Sequence, residues 1–154
     1  MYKPSEEGKT HINSYSRSTL EVGRLLSNFA PCQISNRHGN YHSVEAYWSF
    51  LVTGIPTNDI TDPLTARAIL TSNPRNYQCS KQEFVIAITD AITQKLDQNK
   101  EFLLSDPYFC DMSLPIVHYW VRNGKYVETG RKESVMILVD AINAWRHTAL
   151  IWGF

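Results

Sequence analysis

The chain has 154 residues, of which 43% are hydrophobic, 12% aromatic and 19% charged. That length suits one domain with a self-supporting core, and the composition excludes a disordered chain. Fifteen basic and fifteen acidic side chains cancel to a net charge of zero, which argues against bulk phosphate neutralisation as a mode of nucleic-acid binding and leaves room only for a local patch.

Residues 1–10 read as a polar lead-in without the apolar stretch of a signal peptide. No run approaches the ~18 apolar residues that cross a bilayer. Both features point to a cytoplasmic protein with no membrane partner, folded as one domain over 11–154. From Ile12 to Leu26 isolated aliphatics mix with Ser, Thr, Tyr and Gly, the pattern of a short strand followed by an irregular segment. Ser35-Asn36-Arg37-His38-Gly39-Asn40 is a turn cluster between Cys32-Gln33-Ile34 and Tyr41-His42-Ser43, suited to a small hairpin or a wide loop.

Helices dominate the chain from Ser43 onward. Ser43 can cap a helix through Val44, Tyr47, Trp48 and Leu51, ending near Gly54 with Pro56 just beyond. Asp62-Pro63 opens a short helix through Ala66 and Leu70. Ser80 and Glu83 form a capping box ahead of a stripe of Phe84, Ile88, Ile92 and Leu96. Leu114 to Val127 is β-branched and aromatic around the turn dipeptide Asn123-Gly124. Val135, Leu138, Val139, Ile142 and Trp145 then make the cleanest amphipathic stripe. The expected class is mainly α with a small β element, an α+β domain.

Cys32, Cys79 and Cys110 are odd in number and widely spaced, with no CxxC pair. Three free thiols are expected rather than a disulfide framework or a zinc ribbon. The five histidines are scattered, so no metal site or cofactor is expected. Phosphate-loop, dinucleotide-fold, zincin and hydrolase-elbow motifs are all absent.

Polar residues crowded among aromatics stand out instead. The segments GRLLSNFAPC (from Gly23) and YHSVEAYWSF (from Tyr41) resemble the NADAR family, whose name marks its association with NAD and ADP-ribose. The family pattern is LSNF, an aromatic and Pro, then Y-x-S-x-E and an aromatic. LPIVHYWVRNGKYVE, from Leu114, is similar to a segment of the phage-type branch, and together the matches run from about Ile12 to Arg146.

The resemblance implies a single NADAR-like domain and hydrolysis of an N-glycosidic bond. The substrate would be an ADP-ribosyl or related ribosyl nucleotide, free or attached to nucleic acid, in a bacterial host cytoplasm if the source is viral. The chain departs from the pattern at Ala46, Ser49 and Phe50. The family usually has His, Gln and a small residue with a downstream Lys there. These departures support an alternative: a phage module with blunted catalysis that binds or sequesters an ADP-ribose-like nucleotide against host defence.

The candidate catalytic residue is Glu45. Cleaving a ribosyl C–N bond develops an oxocarbenium-like centre, which a carboxylate stabilises or serves by activating water. Its place in the first turn of a helix favours the anion, although many first-turn glutamates do no more than that. Asn28 offers an amide for ribose hydroxyls and Arg24 a guanidinium for a phosphate. Trp48 shares a helical face with Glu45 and can stack a base, or simply belong to the core; Tyr41, at the start of the second segment, is a further candidate for binding substrate. His118, Tyr119 and Lys125 match the phage-type segment, with His118 equally readable as a structural histidine and Lys125 as a turn lysine. A second carboxylate, if the reaction uses one, is Glu128 or Asp111.

Overall fold

Three of the helix starts in this chain are set by side chains that satisfy orphan backbone amides. A computed structural model describes residues 1–128 and 132–153. Thr129, Gly130, Arg131 and the expected domain end Phe154 lie outside the described residues. Two compact units emerge, one from residues 28–98 and the other from residues 1–27 with the stretch from 99 onward.

In the 28–98 unit, Ser43 Oγ accepts from the Ala46 amide at 3.1 Å and starts α2, Val44–Thr53. That helix ends at Gly54, whose φ of 74° is a left-handed cap open mainly to glycine. Asp62 accepts from the Leu64 amide and Pro63 takes the first helical position of α3, Pro63–Ser72. The Ser80/Glu83 capping box closes in both directions, at 3.1 and 3.2 Å, ahead of α4, Lys81–Gln98. Ile88, Ile92 and Leu96 of the expected stripe are fully buried, while Phe84 is half-buried.

Strands β2, Ile34–Asn36, and β3, Gly39–Tyr41, pair antiparallel as the hairpin, with Gly39 at φ 124°. Its outer edge is closed by two glutamines one turn apart on α4. Gln94 exchanges two hydrogen bonds with the Ser35 backbone, at 3.0 Å each, and Gln98 exchanges two with the Gln33 backbone, at 3.0 and 2.5 Å. Each side-chain amide thus stands in for a neighbouring strand's peptide group.

In the other unit, β1, Ile12–Asn13, pairs parallel with β4, Ile116–Val117. The Asn13 amide extends that pairing, donating to the Tyr119 carbonyl and accepting from the Tyr119 amide, both at 3.0 Å. The segment expected to be irregular contains a helix, α1, Glu21–Leu26, whose N-cap Leu20 makes no side-chain cap bond. Gly23 lets α1 approach β1: an added Cβ would stand 2.5 Å from the Asn13 carbonyl oxygen. A short α5, Lys100–Ser105, precedes the loop that leads to β4. Strands β5, Trp120–Arg122, and β6, Lys125–Val127, form the hairpin at Asn123-Gly124, with φ of 52° and 72°. Positive φ at both central residues is the type I′ geometry.

The long α6, Lys132–Trp152, buries Leu138, Ala141, Ile142, Trp145, Arg146 and Ala149. Arg146 donates to the carbonyls of Phe109, Leu114 and Asp111 at 2.6–2.8 Å. It thereby holds the loop at 108–114 shut with one guanidinium.

The chain is α+β, mainly helical, with two-stranded sheets only among the described residues. The long C-terminal helix and the others described are each too short or too polar to cross a membrane. The three cysteines are free.

Candidate functional site

The N-cap at Ser43 sets the direction of α2 and so places Glu45 in its first turn. The Glu45 amide donates to the Asn28 carbonyl at 3.0 Å, so the Asn28-Phe29 segment lies against the start of the helix. The Glu45 side chain is only 3% exposed. Its Oε1 accepts from Arg67 Nε of α3 at 2.5 Å. The Arg67 guanidinium also lies over the Phe29 ring, 5.1 Å from its centroid. A buried carboxylate, an arginine fork and an aromatic face are therefore assembled from three separate stretches of sequence. Such a carboxylate can stabilise a positive centre or accept a proton, and the guanidinium balances its charge where water is scarce.

Asn28 adds an acceptor: its Oδ1 is buried with no hydrogen-bond partner among the described residues. Buried polar atoms are normally satisfied, so an idle one on the segment that abuts the Glu45 helix start marks a place for a ligand group or a water. Trp48 is half-buried and packs edge-on against Phe84, with centroids 4.9 Å apart. Tyr41 is wholly buried, 4.8 Å from the Tyr47 ring, and its hydroxyl donates to the His38 carbonyl. Burial pushes the Tyr41 phenol up, and that of Tyr47, hydrogen-bonded to His38, to about 12.

Arg24, His118, Tyr119, Lys125, Asp111 and Glu128 belong to the other unit. Arg24 is exposed and its Nη1 donates to the Ser18 carbonyl at 2.7 Å. His118 donates through Nδ1 to the Ser14 carbonyl, which fixes its tautomer. Tyr119 is buried and its hydroxyl meets His11 Nε2 at 2.6 Å. Burial pushes its phenol up to about 12 and pulls the His11 imidazole down, against the raising effect of Glu7 and Glu6. Lys125 and Glu128 are exposed at and beyond β6. Hydrogen bonds from Ser113 hold the Asp111 carboxyl below its ordinary range, in a turn.

Of the residues singled out from sequence, Asn28 and Glu45 are thus brought into direct contact. Arg67 was not among them; its one signal is a lone charged residue in the helical run TARAIL. Among the described residues no three His, Cys, Asp or Glu side chains are grouped so as to hold a metal ion. No family model matches the chain, and neither the curated proteins nor the solved structures contain a match to it.

Proposed function

We propose that the protein is an N-glycoside hydrolase of NADAR type, acting on an ADP-ribosyl or related ribosyl-nucleotide substrate, for example to remove ADP-ribose from a modified base. The observation that carries this reading is the buried Glu45 carboxylate, paired with Arg67, on a helix start whose Glu45 amide bonds the backbone of Asn28, itself carrying an idle Oδ1. As the C1′–N bond breaks, its electron pair leaves with the base nitrogen and positive charge gathers at C1′. Glu45 stabilises that centre and takes a proton from the attacking water, whose oxygen forms the new bond to C1′. Solvent returns a proton to the base. Asn28 Oδ1 accepts from a ribose hydroxyl, and Trp48 offers a ring for stacking.

The Arg67 contact also favours a second reading. Arg67 already occupies Glu45 Oε1, which fits a module that captures an ADP-ribose-like nucleotide without turnover. Wild type and Glu45→Gln, incubated with NAD, ADP-ribose, cyclic ADP-ribose forms, ADP-ribosylated DNA and the riboflavin-pathway amine, are followed by mass spectrometry. Release of a free base or free ADP-ribose by wild type, lost in the variant, is the expected result. A ligand retained through gel filtration and not consumed assigns the second reading; neither turnover nor binding refutes both.

A further inference from the structure

Every other hydroxyl on α2 or packed against its backbone has a partner. Ser43 Oγ caps the Ala46 amide, Thr53 Oγ1 donates to the Ser49 carbonyl, Thr57 Oγ1 donates to the Ala46 carbonyl, and the Tyr47 hydroxyl meets His38. Ser49 is the exception. It is 0% exposed, and its Oγ is buried with no hydrogen-bond partner among the described residues. A helical serine ordinarily relieves itself by bonding the carbonyl four residues back, as Thr53 does; Ser49 does not.

Ser49 stands four residues after Glu45, one turn along the same face of α2. Side chains at that spacing have Cβ atoms about 5–6 Å apart. One water oxygen bonded at about 2.7–2.9 Å to each of two groups spans about 5 Å between their oxygens, so a water beside Ser49 Oγ would reach a Glu45 carboxylate oxygen turned along the same face. A hydroxyl is the group for this task, because it donates to the water lone pair while the carboxylate accepts the water proton.

We propose that Ser49 is a positioning residue whose hydroxyl holds, jointly with the Glu45 carboxylate, the water that hydrolysis at this site consumes. The catalytic half of the inference rests on the hydrolase reading; the shared water does not. The test therefore has a ligand-free arm. If Ser49 Oγ is a dry, idle hydroxyl, Ser49→Ala removes an unsatisfied polar atom and raises Tm. If it shares a water with Glu45, Ser49→Ala lowers Tm by about 3 °C. The loss then shrinks in a Glu45→Gln background, because the two groups no longer hold the same water in the same way.

A rise in Tm, or a loss that is unchanged by Glu45→Gln, overturns the proposal whether or not any nucleotide is turned over. With a substrate in hand, Ser49→Ala lowers kcat at least 10-fold with little change in KM, and raises the share of product trapped by added methanol. Ser49→Cys, which fills the same space with a weaker donor, falls between wild type and alanine in kcat. Equal activity of wild type and Ser49→Ala on a substrate that Glu45→Gln cannot process removes the positioning role and leaves the hydrolase reading standing.

Discussion

The Arg67–Glu45 pair is asymmetric, and that asymmetry is measurable. The Glu45 side chain is 3% exposed and the Arg67 side chain 39%. Removing Arg67 therefore strands a carboxylate in the interior, whereas removing the carboxylate leaves a guanidinium that can still reach water. Breaking a buried pair from the side that leaves a buried charge costs about 3–5 kcal/mol. Solvent at the arginine places Arg67→Met near the lower end, about 3 kcal/mol, or about 9 °C in Tm for a chain of this length. Glu45→Gln keeps the volume and some hydrogen bonding, so its cost is about 1 kcal/mol. In the double variant the losses do not add: with no carboxylate to strand, Arg67→Met costs less in the Glu45→Gln background than in wild type. Urea titrations of the three variants at pH 7 and fixed ionic strength measure all of this. If Arg67→Met costs no more than Glu45→Gln, the buried-charge account of the site is wrong.

The packing makes three further outcomes testable. Lys95 is fully buried in α4, and burial pulls its ammonium down to about 8, against the opposing pull of Cys32. Below pH 8 both folded and unfolded chains carry the proton; between about pH 8 and 10.5 only the unfolded chain does, so stability rises with pH across that window. The rise attributable to Lys95 is about 3 kcal/mol, and it disappears from the stability–pH curve of Lys95→Met; parallel curves for the two proteins refute it. Gly23→Ala gains about 1 kcal/mol of helix propensity, but its Cβ collides with Ser18 Oγ and stands 2.5 Å from the Asn13 carbonyl oxygen. The net result is a loss of about 2 kcal/mol, and a higher Tm than wild type contradicts the close approach. Ser43→Ala removes the α2 cap and lowers stability by about 1 kcal/mol; a change under a few tenths, read by thermal melting, means the cap does not set the helix start.

Legibility from sequence tracked how local the determining interaction is. The starts of α2, α3 and α4 were readable because each is fixed by a side chain within three residues: Ser43, Asp62 and the Ser80/Glu83 box. The hairpin at Asn123-Gly124 was readable for the same reason, since two positive φ values in a row favour that dipeptide. Helix α1 was not, because its N-cap residue is Leu20, with no side-chain cap bond, and a glycine stands in its middle. What admits that glycine is the close packing of α1 on β1, a tertiary fact with no local trace. The parallel pairing of β1 with β4 joins strands from opposite ends of the chain and was likewise invisible, although β structure was expected in both places.

The site divides along the same line. Glu45 could be proposed from its place in a motif and at a helix start, and Asn28 from the motif alone. Arg67 could not, because its meaning comes entirely from which carboxylate it meets after α3 packs on α2. That has a chemical consequence for choosing between turnover and capture. Sequence presents Glu45 as a lone first-turn carboxylate; the fold supplies it with a counter-charge, and Arg67 already holds one of its two oxygens. An enzyme built on this pair that works chiefly by stabilising positive charge at C1′ would follow a dissociative path, with the C1′–N bond largely broken before water arrives. A large kinetic isotope effect at C1′–H, with a small dependence of rate on the added nucleophile, is the signature of that path. A rate that instead scales with nucleophile strength would place the work on activation of the water by Glu45.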